Sequence, residues 1–242
     1  MDWLQITYQP TALFSLKPSA ATSTGGKSLL LPSPFAFKMA LLDVAIRTSG
    51  LNQAKDNWPI IRDLQLGIQL PSEITVTNLF GRILRQKEIK SKASEKPAKI
   101  LQAKAKGQWP YQRTIGYREY VYFRDPLTFA LGFEPSELIQ QSLRHWLLQI
   151  NYLGKRGGFV QPLHEAQPVT SDELAPFIML TAEQKSYPIQ GVMQMLDDCD
   201  PKTKFEQVDI YTTKRPKRIV RHLVLPYKVK RSSRSYTLYE HI

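Results

Sequence analysis

The chain has 242 residues, 42% of them hydrophobic and 22% charged, which supplies a sizeable core in one large or two small domains and excludes global disorder. No run of about 18 apolar residues is present, which excludes an ordinary transmembrane helix, and a single cysteine, Cys199, excludes an internal disulfide. The outlier is charge: 33 Lys and Arg against 21 Asp and Glu give +12 and a pI near 9.7.

That excess is concentrated. Arg82 to Lys106 holds nine basic and two acidic residues, and Lys202 to Arg234 eleven basic and two acidic, so the rest of the chain is acidic. Two basic blocks on an acidic body point to a dedicated polyanion surface. Neither block patterns as an amphipathic helix with a bulky apolar face, so nucleic acid is favoured over membrane. Met1, Asp2 and Trp3 begin neither a basic n-region nor an apolar h-region, and the expected location is the cytoplasm.

In chain order, Trp3 to Leu16 is rich in β-branched and aromatic residues and predicts a strand, with Pro10 marking a bulge or edge. A small, polar loop runs from Pro18 to Pro32. Ser33-Pro34 then has the chemistry of an N-cap and first helical position, and Phe35 to Thr48 predicts a buried helix ending near Gly50. Ile60 to Arg85 predicts strand interrupted around Pro71, because Leu64, Leu66, Ile68 and Leu70 alternate with polar or small residues. Gln86 to Gly107 has few bulky apolar residues and predicts a protruding hairpin or mobile loop. Tyr117 to Arg124 predicts a strand. A second helix, with Pro135 in its first turn, is patterned by Leu138, Ile139, Leu143, Trp146, Leu147 and Ile150, and Gly154 stands at its expected C-terminal cap. A glycine-rich basic loop, Gly154-Lys155-Arg156-Gly157-Gly158, leads to a short strand from Phe159. Residues 170–204 give no clear period. At the end, Ile219, Leu223, Leu225, Tyr227 and Val229 share one parity and Arg218, His222, Lys228 and Lys230 the other, which predicts a strand with an apolar and a basic face.

This order predicts an α+β fold: a ferredoxin-like β-α-β-β-α-β domain over residues 1–165, carrying a basic insertion at about 82–113, and a strand-rich basic extension over 166–242. Within it, Ala21 to Ser28 ends in Gly26-Lys27-Ser28 like a phosphate loop, but position 21 is alanine and Pro32 and Pro34 prevent the helix that loop must open into, so Lys27 is expected to be a loop lysine near a polyanion. The four histidines, His145, His164, His222 and His241, have no metal-ligand spacing and sit in no segment with a second acid–base group. Neither a metal, nor a cofactor, nor a catalytic residue is expected, and a metal-independent ribonuclease assembled only in the fold is the alternative. In the insertion, cations including Arg82, Arg85, Lys104 and Lys106 precede Trp109, Tyr111 and Arg113; lysines neutralise phosphates, while rings and guanidinium planes stack on unpaired bases. The loop residues Lys155, Arg156, Gly157 and Gly158 offer two cations and backbone N–H groups to a phosphate, with Lys27 and Lys38 expected nearby at the entry of the first helix. Arg113, Tyr117 and Arg118 are expected to close the other side.

Several of these motifs resemble those of CRISPR-associated RAMP proteins. Tyr8-Gln9-Pro10-Thr11-Ala12 followed by Leu31-Pro32-Ser33-Pro34-Phe35 is similar to the strand, turn and proline-rich entry into helix one of that superfamily. Tyr117-Arg118-Glu119-Tyr120 after a basic insertion resembles the "REY" strand of the Cas-five family, with the insertion at the place of its thumb, and Leu153 to Gly158 resembles its glycine-rich loop. The resemblance covers roughly residues 3 to 165. It implies a non-catalytic subunit of a type I Cascade complex that caps the 5′ handle of the CRISPR RNA (crRNA). Its thumb would pack on a Cas-seven-type backbone subunit, beside the large Cascade subunit, and target DNA would be met only through the complex. The branch of the family that cuts precursor RNA carries a Lys-His pair in the central region, which this chain lacks. A general nucleic-acid-binding protein with the same charge pattern is the further alternative.

Overall fold

The computed structural model describes residues 1–18, 25–208 and 216–242. Ala21 to Thr24 of the phosphate-loop-like segment, and Lys214 and Arg215 of the second basic block, lie outside the described residues. In chain order the elements are β1 (Asp2–Pro10), β2 (Gly25–Gly26), α1 (Pro34–Ser49), α2 (Leu51–Asp56), α3 (Trp58–Asp63), β3 (Gln65–Gln69), β4 (Glu73–Gln86), α4 (Lys96–Ala105), β5 (Tyr111–Phe123), β6 (Leu127–Phe133), α5 (Glu137–Leu148), β7 (Val160–Pro162), β8 (Gln167–Pro168), β9 (Phe177–Met179), β10 (Val192–Cys199), β11 (Arg218–Leu225), β12 (Tyr227–Ser232) and β13 (Tyr236–His241).

Three sheets organise these elements. The central one has the order β7-β1-β6-β3-β9, antiparallel throughout, with β8 also pairing β1. The second has the order β12-β13-β4-β5-β2, and β10 and β11 form a two-stranded ribbon. The fold is thus mixed helix and strand with antiparallel sheets. In β1, period-2 alternation sends Leu4, Ile6 and Tyr8 into the core. The Tyr8 hydroxyl donates to the Leu147 carbonyl at 2.8 Å, tying the sheet to the end of α5, and burial raises its pKa well above the usual tyrosine value. α1 begins as its residues predict: the Ser33 hydroxyl accepts the Ala36 N–H at 3.3 Å, Pro34 occupies the first turn, and Gly50 ends the helix at φ 83°. Phe37 on α1 meets Phe129 on β6 with ring centroids 4.8 Å apart, and this contact lies at the centre of the core.

Several expectations need correcting. The strand that pairs β1 in the central sheet is β6, whereas the segment Tyr117–Arg124, expected to continue the core strands, is the return arm of a long β4–β5 hairpin that runs from Ile74↔Phe123 out to Gln86↔Tyr111. β6 escapes a periodicity reading because five of its seven residues, Phe129 to Phe133, are consecutively buried. The first strand ends at Pro10, and Phe14 makes only an isolated bridge to Val121. Ile60 to Asp63 belongs to helix α3, not to strand. Gln86 to Gly107 contains α4, with Pro97 in its first turn and Ala103 as its buried residue. The second helix starts at its Ser136 cap, leaving Pro135 outside, and its C-cap is Gln149, so Gly154 (φ 75°) serves the following turn. The apolar parity of the last strands fails at Val229, which is 56% exposed: Pro226 separates β11 from β12 in different sheets, and a bulge at Val229/Arg231 shifts the register.

Candidate nucleic-acid interface

The entry of α1 is where the chain gathers cations around a groove. Three segments meet there. Residues 15–17 run beside 28–29, held by the Leu29 N–H on the Leu16 carbonyl (2.7 Å) and the Leu16 N–H on Ser28 Oγ (2.9 Å). The turn 152–158 folds back on itself, with the Leu153 N–H on the Gly158 carbonyl at 2.9 Å. From the ribbon, Arg218 of β11 pairs with Asp197 of β10 at 2.6 Å and lies over the Phe35 ring, 3.6 Å from its centroid. These segments enclose a cavity of about 290 Å³ that touches Lys17, Phe35, Tyr152 and Arg218, and a smaller one of about 120 Å³ that touches Lys17 and Lys155.

Burial, then the neighbouring charges of Arg118 and Lys17, hold the Lys155 pKa below the usual lysine value. Lys155 Nζ reaches Ser15 Oγ at 3.5 Å. Tyr152, beside it, has its pKa raised by burial and by Asp43, with Arg156 and Arg47 opposing. Among the described residues, Lys17, Arg118, Lys155 and Arg156 have no carboxylate within salt-bridge distance. Cations without carboxylate partners, clustered closely enough that two of them act on the Lys155 charge, form a site that an anion stabilises.

The residues singled out by sequence fall into two groups. Lys155 lines the smaller groove cavity, with Arg118 close enough for its charge to act on Lys155 and Arg156 close enough to act on Tyr152. Lys27 is exposed and follows Gly26, which is in register with Arg118. Arg82, Arg85, Lys104, Lys106, Trp109, Tyr111 and Arg113 lie out along the hairpin arm and its tip, with Lys104, Lys106, Tyr111 and Arg113 exposed. Arg113 and Arg118 are five positions apart on one strand, about 17 Å at the usual rise. The parity of the ladder also puts Arg113 and Tyr117 on one face, with Arg82, and Arg118 on the other, with Arg85. The three residues expected to close one side together therefore do not share a side. The Tyr117 ring packs on Phe80, centroids 4.9 Å apart. Its hydroxyl is within 2.9 Å of Asn78 Oδ1 and 2.7 Å of Glu119 Oε1, and burial with that carboxylate pushes its pKa up to about 12.

Two members of the expected site are corrected outright. Lys38 does not face a polyanion: it is 2% exposed, and its Nζ donates to Asp198 Oδ1 and to the Arg62 carbonyl, each at 2.7 Å. Gly158 offers no N–H, because that group donates to the Lys155 carbonyl at 2.8 Å. A Cβ there would lie 2.7 Å from the Leu153 carbonyl oxygen and 2.9 Å from Phe14, so the glycine serves close packing. Gly157 is exposed, with open space around it. Conversely, Lys17 and the Arg218–Phe35 pair were not anticipated as site residues. Arg218 was readable as part of the basic face of its strand, but nothing local tied that face to α1.

A larger cavity, about 790 Å³, lies elsewhere, on the outer face of the second sheet among Leu13, Leu79, Tyr120 and Tyr236, and no described cation lines it. Among the described residues no three His, Cys, Asp or Glu side chains converge as metal ligands, and no helix is long and apolar enough to cross a membrane.

No family model matches the chain. It is 23% identical over 224 residues to the CRISPR-associated protein Cas5 of Archaeoglobus fulgidus, an alignment covering 88% of this chain and 87% of that protein. Among solved structures it is similar to a CRISPR protein from Archaeoglobus fulgidus, with a TM-score of 0.47 and 13% identity, covering 100% of this chain and 92% of the other. The expected resemblance to CRISPR-associated proteins of the Cas-five kind is thus borne out at the level of the whole chain, which along most of its length is similar to the CRISPR-associated protein Cas5 of that organism.

Proposed function

We propose that this chain is a non-catalytic RNA-binding subunit of a Cascade-type CRISPR effector complex. In this reading it grips the 5′ handle of the crRNA in the groove at the entry of α1 and reaches a Cas-seven-type backbone subunit with the β4–β5 arm. One observation carries the reading. Lys17 and Lys155, from separate segments, line one cavity, and Arg118, from a third, comes close enough for its charge to act on Lys155. Single-stranded RNA is the polyanion that fits a groove pairing phosphate-neutralising lysines with the aromatic and guanidinium planes of Phe35, Tyr152 and Arg218. The relation to Cas5 supports assigning that RNA to a CRISPR complex. The order β7-β1-β6-β3, with α1 and α5 as the two crossovers, supports a ferredoxin-like core that holds the groove at its edge.

In this reading the chain binds without cutting. His145 is exposed on the last turn of α5, His164 Nδ1 lies 2.9 Å from the neighbouring Glu165 carbonyl, to which it can only donate, His222 is exposed on β11, and His241 packs edge-on against Tyr227. None of them lines the groove cavities. The test uses purified protein with handle-bearing RNA and with a scrambled RNA of the same length. Preferential binding of the first, and intact precursor RNA after incubation in EDTA, are the expected results. Equal, weak affinity for both would sink the handle-cap role, and product formed in EDTA would establish a protein-only ribonuclease instead.

A further inference from the structure

We propose that the 290 Å³ cavity at the entry of α1 is a pocket for one unpaired nucleobase, with Arg218 as the residue on which the base stacks. This rests on the RNA-binding reading above and adds to it a defined subsite and a specificity-determining residue.

The lining combines two kinds of group. Phe35, Met39, Ala40 and Tyr152 offer apolar surface, while Ser33, Asp197, Arg218 and Lys17 are polar or charged. Lys17 is shared with the smaller cavity that reaches Lys155. Arg218 lines the cavity but contributes little net charge there, because Asp197, 4% exposed, takes its Nη1 at 2.6 Å. With one face of the guanidinium on Phe35 at 3.6 Å and its Nη1 committed, Arg218 presents to the cavity the rest of a rigid, weakly hydrated plane. A phosphate would gain little from a cation already neutralised. A second flat ring gains a stacking surface that the Asp197 pair and the Phe35 ring have fixed in advance. Lys17 and Lys155, without carboxylate partners among the described residues, line the adjoining cavity, where they can meet the sugar–phosphate chain of a base seated beside Arg218. A volume of 290 Å³ is at the small end for ligand sites and suits one nucleoside.

The experiment compares two probes of equal length, an oligoadenylate of about ten nucleotides and a chain of abasic spacer phosphates, against the wild-type protein and R218K by fluorescence anisotropy. Lysine keeps the positive charge opposite Asp197 but has no plane to offer. The pocket predicts that R218K binds oligoadenylate roughly 5- to 150-fold more weakly than wild type, the span of one base stack, and binds the abasic chain as wild type does. Thermal melting checks that R218K is folded. If R218K melts early, F35L, which keeps an apolar contact but removes the ring, is read in its place with the same expectation. Equal loss of both probes, or no loss of either, overturns the pocket and leaves RNA binding standing. Failure of the wild-type protein to bind either probe overturns the RNA-binding reading and the pocket with it.

Discussion

Replacing Lys38 by alanine separates a structural cation from a functional one. The Lys38 and Asp198 side chains are 3% and 5% exposed, and the same Asp198 oxygen that meets Lys38 Nζ also accepts the Cys199 N–H at 2.7 Å. The pair joins the second turn of α1 to the ribbon strand β10, which carries Asp197 and hence the support of Arg218. Removing one partner of a buried ion pair leaves the other charge desolvated and unpaired, at a cost of about 3–5 kcal/mol. At roughly 2–4 °C per kcal/mol for a chain of this size, the melting temperature should fall by about 6–20 °C. Urea denaturation followed by circular dichroism measures the loss, and the same samples at 10 °C, still folded, report RNA affinity. The structure predicts a large fall in stability with affinity of the folded fraction nearly unchanged. Normal stability with lost RNA binding would refute the assignment and return Lys38 to the interface.

Three further outcomes follow from the groove and the arm. Gly158→Ala forces a Cβ against backbone and should destabilise by about 1–3 kcal/mol, whereas Gly157→Ala, in open space, should leave the melting temperature unchanged. Because burial and the charges of Arg118 and Lys17 lower the Lys155 pKa, the free protein sheds this proton at a lower pH than an ordinary lysine does. A bound polyanion restores the proton, so affinity should fall as pH rises through that lowered pKa. Calorimetry in buffers of different ionisation enthalpy should then show proton uptake on binding at alkaline pH, and none in K155A. In the arm, α4 buries only Ala103, and a ten-residue helix is marginal without packing. Its amides should exchange rapidly in the isolated protein and slowly in an assembled complex, and strong protection in the isolated chain would contradict this.

What could be read from sequence followed locality. α1 was legible from end to end because Ser33, Pro34 and Gly50 act within their own turns. The β4–β5 hairpin was legible as a basic projection because its tip lacks apolar residues to bury. β6 was not, since a strand covered on both faces loses the alternation by which strands are recognised. Lys38 looked like any helical lysine near a proline-rich entry; its partner is 160 residues away in a segment without a clear period. The groove was half visible. Lys155 and Arg156 stand in a loop whose glycines mark a turn, while Lys17 and Arg218 are brought to it by pairings, such as Leu16 with Leu29 and β10 with β11, that no local pattern encodes.

The central claim, that RNA runs through the groove at the entry of α1, is tested most directly by the salt dependence of RNA affinity in K155A/R156A beside that of K202A/K204A. Each phosphate contact to a single strand contributes about 0.7 to the slope of log affinity against log salt. The groove predicts that K155A/R156A weakens binding and flattens the slope by about 1.4, while K202A/K204A, on the turn after β10, leaves both nearly unchanged. A larger loss of affinity and slope in K202A/K204A than in K155A/R156A would place the RNA over the C-terminal basic block and contradict the account.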